Sequence, residues 1–242
     1  DEEALAPPRT IAAFDHDTLK LMQEDVRTPV ITMPTGTVVA SIYQDFHPGK
    51  TYAAASDTSR GTGQDDAITV VLDTKTGYVV ADIQNNLIPP DQLAIASMAL
   101  LARYHHPIWA IEDNDAGILT IAAAQAARYP SLYYRESEKA GWHTDERNRW
   151  LLWGELIEAV NARLITVPSQ AGLAQFYSVI RNPEKDGRIE GARGAHDDYP
   201  MAVGIAWQMR RYARPMGRPV RNNMDDSWGS IMRRSSLARS RW

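Results

Sequence analysis

The strongest constraint on how this chain can fold is a series of three short β-rich segments separated by turn residues. Residues 51–57 (TYAAASD), 67–73 (AITVVLD) and 78–84 (YVVADIQ) are rich in β-branched and small apolar residues, with Gly, Asp and Thr between them. The TKTG sequence before Tyr78 is typical of a hairpin. The three segments therefore predict an antiparallel meander.

The following segment alternates between helical and extended patterns. Helical spacing covers 90–105 and 117–130, and the apolar run between them, 107–113 (PIWAIED), is typical of a buried central strand. The elements predicted after it are a strand over 131–135, a helix over 144–160 capped by Thr144, an extended segment over 163–168, a helix over 169–181, a Gly- and charge-rich loop over 182–195 and a last helix beginning near Tyr199. This order predicts an α/β domain with a mixed sheet flanked by helices.

Composition narrows the function classes. The 242 residues include no cysteine, which excludes disulfides and thiolate metal sites. No run approaches the roughly 18 to 20 apolar residues of a membrane span. The net charge is −4, but residues 210–242 carry +7 and the rest of the chain −11. Such a distribution predicts carboxylates gathered in the body and a polyanion bound elsewhere, although a solvated acidic surface with a disordered tail explains it too.

The chain divides into three parts by composition. Residues 1–45 are Pro-rich with weak periodicity, and we interpret them as a lead-in or linker with one short helix over 15–23. Residues 46–213 form the predicted α/β domain. Residues 214–242, rich in Arg, Ser, Gly and Pro, are expected to be a disordered basic tail. Because the chain does not begin with Met, we expect it to be a piece of a longer polypeptide.

Carboxylates stand at three places where predicted elements end or begin. Asp57 ends the first strand of the meander, and Glu112 lies at the end of the PIWAIED strand. Asp197 and Asp198 precede the last helix, beside His196. A carboxylate at the end of a buried strand is costly to desolvate unless it is paired or binds a metal. In open α/β sheets, sites form at the carboxyl ends of strands.

Each acid also has an ordinary structural explanation. Asp57 could form a turn with its own backbone, and the acidic loop after Glu112 could cap the next helix, with Asp115 as the cap. At the last helix we expect the cap at Asp198 or Tyr199, which leaves one acid without that role. Taken together, the three acidic clusters favour a site for hard cations such as Mg²⁺ or Mn²⁺. Because two such ions about 4 Å apart catalyse phosphodiester hydrolysis, the clusters indicate that chemistry.

Four segments in order carry a family resemblance. YAAASDTSRGTGQDDAITVV, WAIEDNDAG, GWHTDERNRWLLWGEL and GAHDDYPMAVGIA resemble the nuclease domain of large terminase subunits, the DNA-packaging motor proteins of tailed bacteriophages. The resemblance covers residues 45–212. It implies a ribonuclease H-like fold and an endonuclease that cuts concatemeric viral double-stranded DNA in the host cell cytoplasm. It also implies as partners the portal, the small terminase subunit and an ATPase domain that precedes the nuclease.

The resemblance also implies roles for individual residues around two Mg²⁺ or Mn²⁺ ions. The implied catalytic residues, which also bind metal, are Asp57, Glu112 and Asp198, with Asp197 as a further ligand. The residues expected to lie around these ligands and orient them are Asp65, Asp66, His196 and Asn114. Basic residues in or beside predicted loops are expected to contact DNA phosphates, namely Lys139, Arg147, Arg149 and Arg193.

Two alternatives remain open at this point. Another ribonuclease H-like nuclease, such as a junction resolvase or a transposase core, would use the same acids, so the packaging role rests on the resemblance alone. A noncatalytic docking module that acts through its basic tail is the other alternative. A shared pair of cations predicts that the carboxylates of Asp57, Glu112 and Asp198 lie within about 6 Å of one another.

Overall fold

A six-stranded mixed sheet organises the computed structural model, which describes residue 8 and residues 11–214; the predicted tail beyond Arg214 lies outside those residues. The helices are α1 His16–Gln23, α2 Pro90–Arg103, α3 Gly117–Ala126, α4 Glu146–Asn161, α5 Gln170–Tyr177 and α6 Asp198–Met209. The strands are β1 Ile31–Thr35, β2 Val38–Ile42, β3 Tyr52–Asp57, β4 Ala67–Asp73, β5 Val79–Asn85, β6 Ile108–Ile111, β7 Tyr134–Glu136, β8 Lys139–Ala140, β9 Val179–Asn182 and β10 Arg188–Gly191. The large sheet has the strand order β1-β2-β5-β4-β3-β6.

The predicted meander is confirmed. Strand β3 pairs antiparallel with β4, and β4 pairs antiparallel with β5. The only parallel pair in the described large sheet joins β3 to β6. Every residue of β3 and β4 is buried, because helices cover both faces of the sheet. This explains why both strands read as nearly continuous apolar runs rather than as alternating ones.

Two apolar cores lie on the two faces of the sheet. One contains Trp153 from α4 and residues of α1, α5 and α6, whereas the other contains residues of α2 and α3. Successive residues of β6 face the two cores in turn, since Ala110 belongs to the first core and Trp109 and Ile111 to the second. Burial of each such large apolar side chain stabilises the fold by roughly 1.5–3 kcal/mol.

The predicted central position of β6 is wrong, because β6 is the last strand in the six-stranded order. It is nevertheless buried, since the chain returns beside it. Isolated parallel bridges join Trp109 to Leu132 and Glu112 to Trp142. These contacts shield the outer edge of β6 and give it the apolar composition of an interior strand.

Strands β1 and β2 form a hairpin that the sequence does not predict. The hairpin lies within the Pro-rich lead-in, and β2 joins the sheet by pairing Ser41 with Asp82 and Ile42 with Ala81 on β5. The signal is weak because β1 is an edge strand with exposed residues and contains Pro34. Part of the lead-in therefore belongs to the sheet, while a domain boundary at residue 45 remains a prediction.

Several predicted boundaries also change. The helix predicted over 169–181 ends at Tyr177, and the chain turns into β9, which pairs with β10 inside the predicted loop 182–195. The cap of α4 is Asp145 rather than Thr144, since the Asp145 carboxylate accepts the Asn148 N–H at 2.7 Å. The strand predicted over 131–135 reduces to β7, which pairs with β8. None of the described helices is long and apolar enough to cross a membrane.

Candidate metal centre

Two predicted acids meet at the carboxyl ends of adjacent parallel strands. Asp57 is the last residue of β3, and Glu112 directly follows β6. Ser56 lies opposite Ile111 in the parallel register, and the Glu112 N–H donates to the Ser56 carbonyl at 2.9 Å. Both acids are only 8% exposed. The strand pairing itself thus places two buried carboxyl groups side by side.

The start of α6 brings the adjacent pair Asp197 and Asp198 to the same place. The Asp198 carboxylate accepts the Asp66 backbone N–H at 2.9 Å, and the Tyr199 N–H donates to Gln175 Oε1 at 2.8 Å. Asp197 is the residue before the helix, but its side chain makes no capping hydrogen bond. The predicted cap at Asp198 or Tyr199 is therefore wrong, because the Asp198 side chain bonds across to another loop.

The pKa directions show how closely these acids interact. Burial raises the pKa of Asp57 well above its usual value, and the charges of Glu112 and Asp198 raise it further. Burial, with smaller contributions from Asp197 and Asp65, raises the pKa of Asp198 to about 7. A divalent cation among these groups would favour their ionised forms and offset their mutual repulsion.

Asp198 also belongs to a second group of possible metal ligands, with Asp65 and His196. One ligand atom each from Asp65, His196 and Asp198 lie within 4.8 Å of one another, with His196 Nδ1 3.6 Å from Asp65 and 3.7 Å from Asp198. Asp57 and Glu112 do not belong to this group. Asp198 therefore takes part in two sets of neighbours, while the 6 Å spacing predicted for Asp57, Glu112 and Asp198 stays a prediction.

The structure distinguishes the two acids Asp65 and Asp66. One carboxylate oxygen of Asp66 accepts hydrogen bonds from Gln84 at 2.6 Å and from Gln175 at 2.9 Å, whereas the Asp65 side chain is 72% exposed. Asp66 is thus held in a protein network and Asp65 is available to solvent or a cation. Gln175 was missed by the sequence analysis, since a glutamine inside a helix carries no local signal.

Asn114 makes hydrogen bonds to Glu112 and to the start of α3, while its expected role in orienting a metal ligand stays a prediction. Its amide donates to Glu112 Oε2 at 2.9 Å, and its carbonyl oxygen accepts the Gly117 N–H at 2.9 Å. Asn114 thereby takes the capping role expected of Asp115, which instead forms an exposed ion pair with Arg60. A Cβ on Gly117 would lie 1.7 Å from the Glu112 carbonyl oxygen, so only glycine fits this close approach.

Arg149 faces the acidic cluster rather than open solvent. Its Nη2 lies 3.4 Å from Asp197 Oδ2 and donates to the Ile189 carbonyl at 3.0 Å. Burial raises the pKa of Asp197, and the positive charge of Arg149 opposes this shift. Arg149 therefore favours the ionised form of one acid of the cluster, but the effect of burial on the pKa is larger.

The other three basic residues predicted to contact DNA are on the surface. Lys139 forms an exposed ion pair with Glu136 at 2.9 Å. Arg147 on the first turn of α4 and Arg193 in the loop before α6 are exposed. Their contact with DNA stays a prediction.

No protein-family model and no curated protein matches this chain. Solved structures of large terminase nucleases do. The nuclease of thermophilic phage G20c with bound magnesium aligns with a TM-score of 0.63 and 17% identity, over 83% of this chain and 98% of that chain. The same nuclease with bound cobalt gives 0.60 at 17% identity, over 83% and 98%. The nuclease domain of the Thermus phage P74-26 large terminase gives 0.59 at 20% identity, over 82% and 95%. This chain therefore has the ribonuclease H-like fold of large terminase nuclease domains.

Proposed function

We propose that this chain is a divalent-metal-dependent DNA endonuclease that cuts concatemeric viral double-stranded DNA during genome packaging. The observation that carries the proposal is the meeting of four acids, from the ends of β3 and β6 and the start of α6, at one edge of the sheet. The raised pKa values of Asp57, Asp197 and Asp198 describe carboxyl groups that are buried close to other acids. Such a cluster is stabilised when a cation binds to it.

The donor set fits hard divalent ions. Carboxylate oxygens suit Mg²⁺ or Mn²⁺, and the chain has no cysteine to favour softer metals. The single imidazole, from His196, favours a transition-metal ion over Mg²⁺. We assign Asp57, Glu112 and Asp198, with Asp197, to one ion, and Asp65, His196 and Asp198 to a second. When bound, the ions supply an activated water and charge stabilisation at a phosphodiester. Related nucleases with bound magnesium and with bound cobalt support a divalent metal here.

Protein groups set the ionisation and orientation of these ligands. The raised pKa of Asp57 reflects its burial and its hydrogen bond to Glu112, and a protonated Asp57 must lose its proton before it can bind a cation. Asn114 holds Glu112 by its Oε2 oxygen, and the positive charge of Arg149 opposes the rise in the pKa of Asp197 that burial causes. Substrate phosphates would meet the exposed cations Arg147, Arg193 and Lys139 around the site.

The packaging role comes from the likeness to large terminase nucleases. It implies that the chain works in the host cell cytoplasm with a portal, a small terminase subunit and an ATPase domain. A junction resolvase or a transposase core would share the acids, so a substrate comparison separates these functions. A packaging nuclease should cut linear duplex and plasmid DNA as readily as a four-way junction.

The nuclease proposal predicts metal-dependent cutting that requires Asp57. The chain should nick or linearise plasmid DNA with Mn²⁺ or Mg²⁺, and Asp57→Asn should lower the rate more than about 100-fold, since even residues that only orient metal ligands are worth about 10- to 100-fold. Calorimetric titration with Mn²⁺ should show a matching loss of binding.

Asp115→Asn is the matched control. It removes the same charge from the loop after β6, but its side chain is 81% exposed and pairs with Arg60. This variant should cut and bind Mn²⁺ like the unmodified chain. Equal activity in Asp57→Asn would refute the site assignment. A chain that neither binds Mn²⁺ nor cuts DNA would instead be a docking module.

A further inference from the structure

An open groove of about 800 Å³ runs along the β6 edge of the sheet, away from the acidic cluster. Its floor includes Tyr52 at the start of β3 and Ile108 at the start of β6, whereas the acids follow the opposite ends of these strands. Five steps along β3 separate Tyr52 from Asp57, which corresponds to roughly 16 Å. The groove is therefore a feature separate from the candidate metal centre.

The charge of the groove is opposite to that of the body. The described residues that line it include no Asp or Glu but four cations, Lys50, Arg135, Arg211 and Arg214. Three of these are paired with acids that lie outside the lining; for example, Lys50 lies 2.8 Å from buried Asp73. The lining itself thus contributes only positive charge to the groove, and the paired acids behind it offset part of that charge.

Aromatic rings are interleaved with these cations. Tyr134 and Tyr212 line the groove and are 45% and 51% exposed. Phe46 packs against His105 with ring centroids 4.2 Å apart and ring planes tilted by 40°, and both residues line the groove. Exposed rings beside cations are the arrangement by which proteins bind single-stranded nucleic acid, since bases stack on the rings and phosphates follow the charges.

We propose that this groove binds a single-stranded stretch of nucleic acid, with bases stacked on Tyr134 and Tyr212 and phosphates near Arg211 and Arg214. Duplex DNA does not suit it, because paired bases bury their faces against one another. An acidic protein segment would use the cations but would leave the exposed rings without a role. The proposal does not require the chain to be a nuclease, because no residue of the metal centre takes part.

The test separates stacking from charge. Fluorescence anisotropy in EDTA would compare a labelled oligothymidylate with an abasic strand that has the same number of phosphates. Both strands offer the same number of phosphates to the basic residues of the chain, including those of its Arg-rich end. Only base stacking can therefore make the affinities of the two strands differ. We expect the base-bearing strand to bind at least about fivefold more tightly.

Substitution of the two rings should remove this preference. The double variant Tyr134→Ala/Tyr212→Ala should bind both strands equally, whereas Tyr134→Phe/Tyr212→Phe keeps the ring faces and should retain the preference. Trp150→Ala, which removes an exposed ring outside the groove, should behave like the unmodified chain. Circular dichroism of each variant would confirm that the fold is intact.

Three results would overturn the proposal. The first is equal binding of the base-bearing and abasic strands by the unmodified chain. The second is an unchanged preference in the double alanine variant. The third is displacement of the oligothymidylate by polyglutamate as effectively as by unlabelled oligothymidylate, which would identify the groove as a site for an acidic protein segment.

Discussion

Asp197 and Asp198 are neighbours in the sequence but have different surroundings. Asp197 lies beside the Arg149 guanidinium, whereas Asp198 is shared between the backbone of Asp66 and the group containing His196. The two adjacent acids at the start of α6 therefore have different interaction partners. The sequence shows that one acid is in excess of the need for a cap, but the partners Arg149 and Asp66 lie more than 40 residues away in the sequence.

Asp82 is a buried acid that the candidate centre does not use. It is 3% exposed and accepts a hydrogen bond from the Tyr199 hydroxyl at 2.7 Å and from the Tyr43 hydroxyl at 3.3 Å. Burial raises the pKa of Asp82 from 3.8 to about 6, against the opposing effect of these hydroxyl groups. The folded chain therefore holds this proton more tightly than the unfolded chain does.

This raised pKa predicts a pH-dependent stability. Its contribution is fully present below about pH 4 and is lost as the pH rises through about 6, a change of about 3 kcal/mol. Asn cannot ionise, so Asp82→Asn should gain about that much free energy of unfolding relative to the unmodified chain between pH 4 and pH 8. Urea titrations at both pH values measure the difference.

The exposed acid Asp91 on α2 offers the comparison for Asp82. Asp91→Asn makes the same change from acid to amide at an exposed position, so it controls for the substitution itself and should not reproduce the gain of about 3 kcal/mol expected of Asp82→Asn. A pH-independent difference for Asp82→Asn would contradict the assigned role of its burial.

At the scale of elements, α5 and α6 meet through a glycine. A Cβ on Gly172 would lie 2.4–2.6 Å from the ring of Tyr199, which is fully buried. This close approach allows the start of α6, which includes Asp198, to pack against the sheet. A glycine in the middle of a helix is unfavourable by itself, so its presence here is explained by packing.

The packing of α5 on α6 predicts opposite effects of one substitution at two glycines. Gly172→Ala should lower the free energy of unfolding by about 1–3 kcal/mol, since the ring of Tyr199 cannot yield in a packed core. Gly154→Ala on α4 should raise it by about 0.5–1 kcal/mol, because its Cβ would meet no atom within 4 Å. Chemical denaturation measures both, and a stabilising Gly172→Ala would refute the packing account.

The sequence correctly predicts a helix or a strand where one pattern of apolar residues extends over six residues or more. The three meander strands and the helices α2 and α4 are long enough for their apolar periodicity to dominate. The hairpins β1–β2 and β9–β10 were missed, because their strands are short and half exposed. Their pairing depends on neighbours distant in sequence, as in the contact of Ser41 with Asp82, and such contacts leave no local signature.

At the scale of the whole molecule, topology explains why the sequence predicts the clustering of the acids but not the residues that hydrogen-bond to them. Parallel strands end at the same edge, so Asp57 and Glu112 can be placed together from strand order alone. Gln175 joins Asp66 to the Tyr199 backbone across 109 and 24 positions of sequence, and no spacing rule anticipates such a bridge. The aromatic groove is likewise assembled from five separate segments.

The separation of charge across the molecule gives a last prediction. In EDTA, the logarithm of the single-strand association constant should fall linearly with the logarithm of salt concentration, with a slope of about −0.7 for each phosphate contact. Arg214→Gln should reduce the steepness by about 0.7, whereas Tyr134→Ala should weaken binding at every salt concentration without changing the slope. Lys75→Gln, in the exposed turn after β4, should change neither quantity. If Arg214→Gln left the slope unchanged, the groove would not be the place where the strand's phosphates are neutralised, and single-strand binding would have to be assigned to another basic surface of the chain.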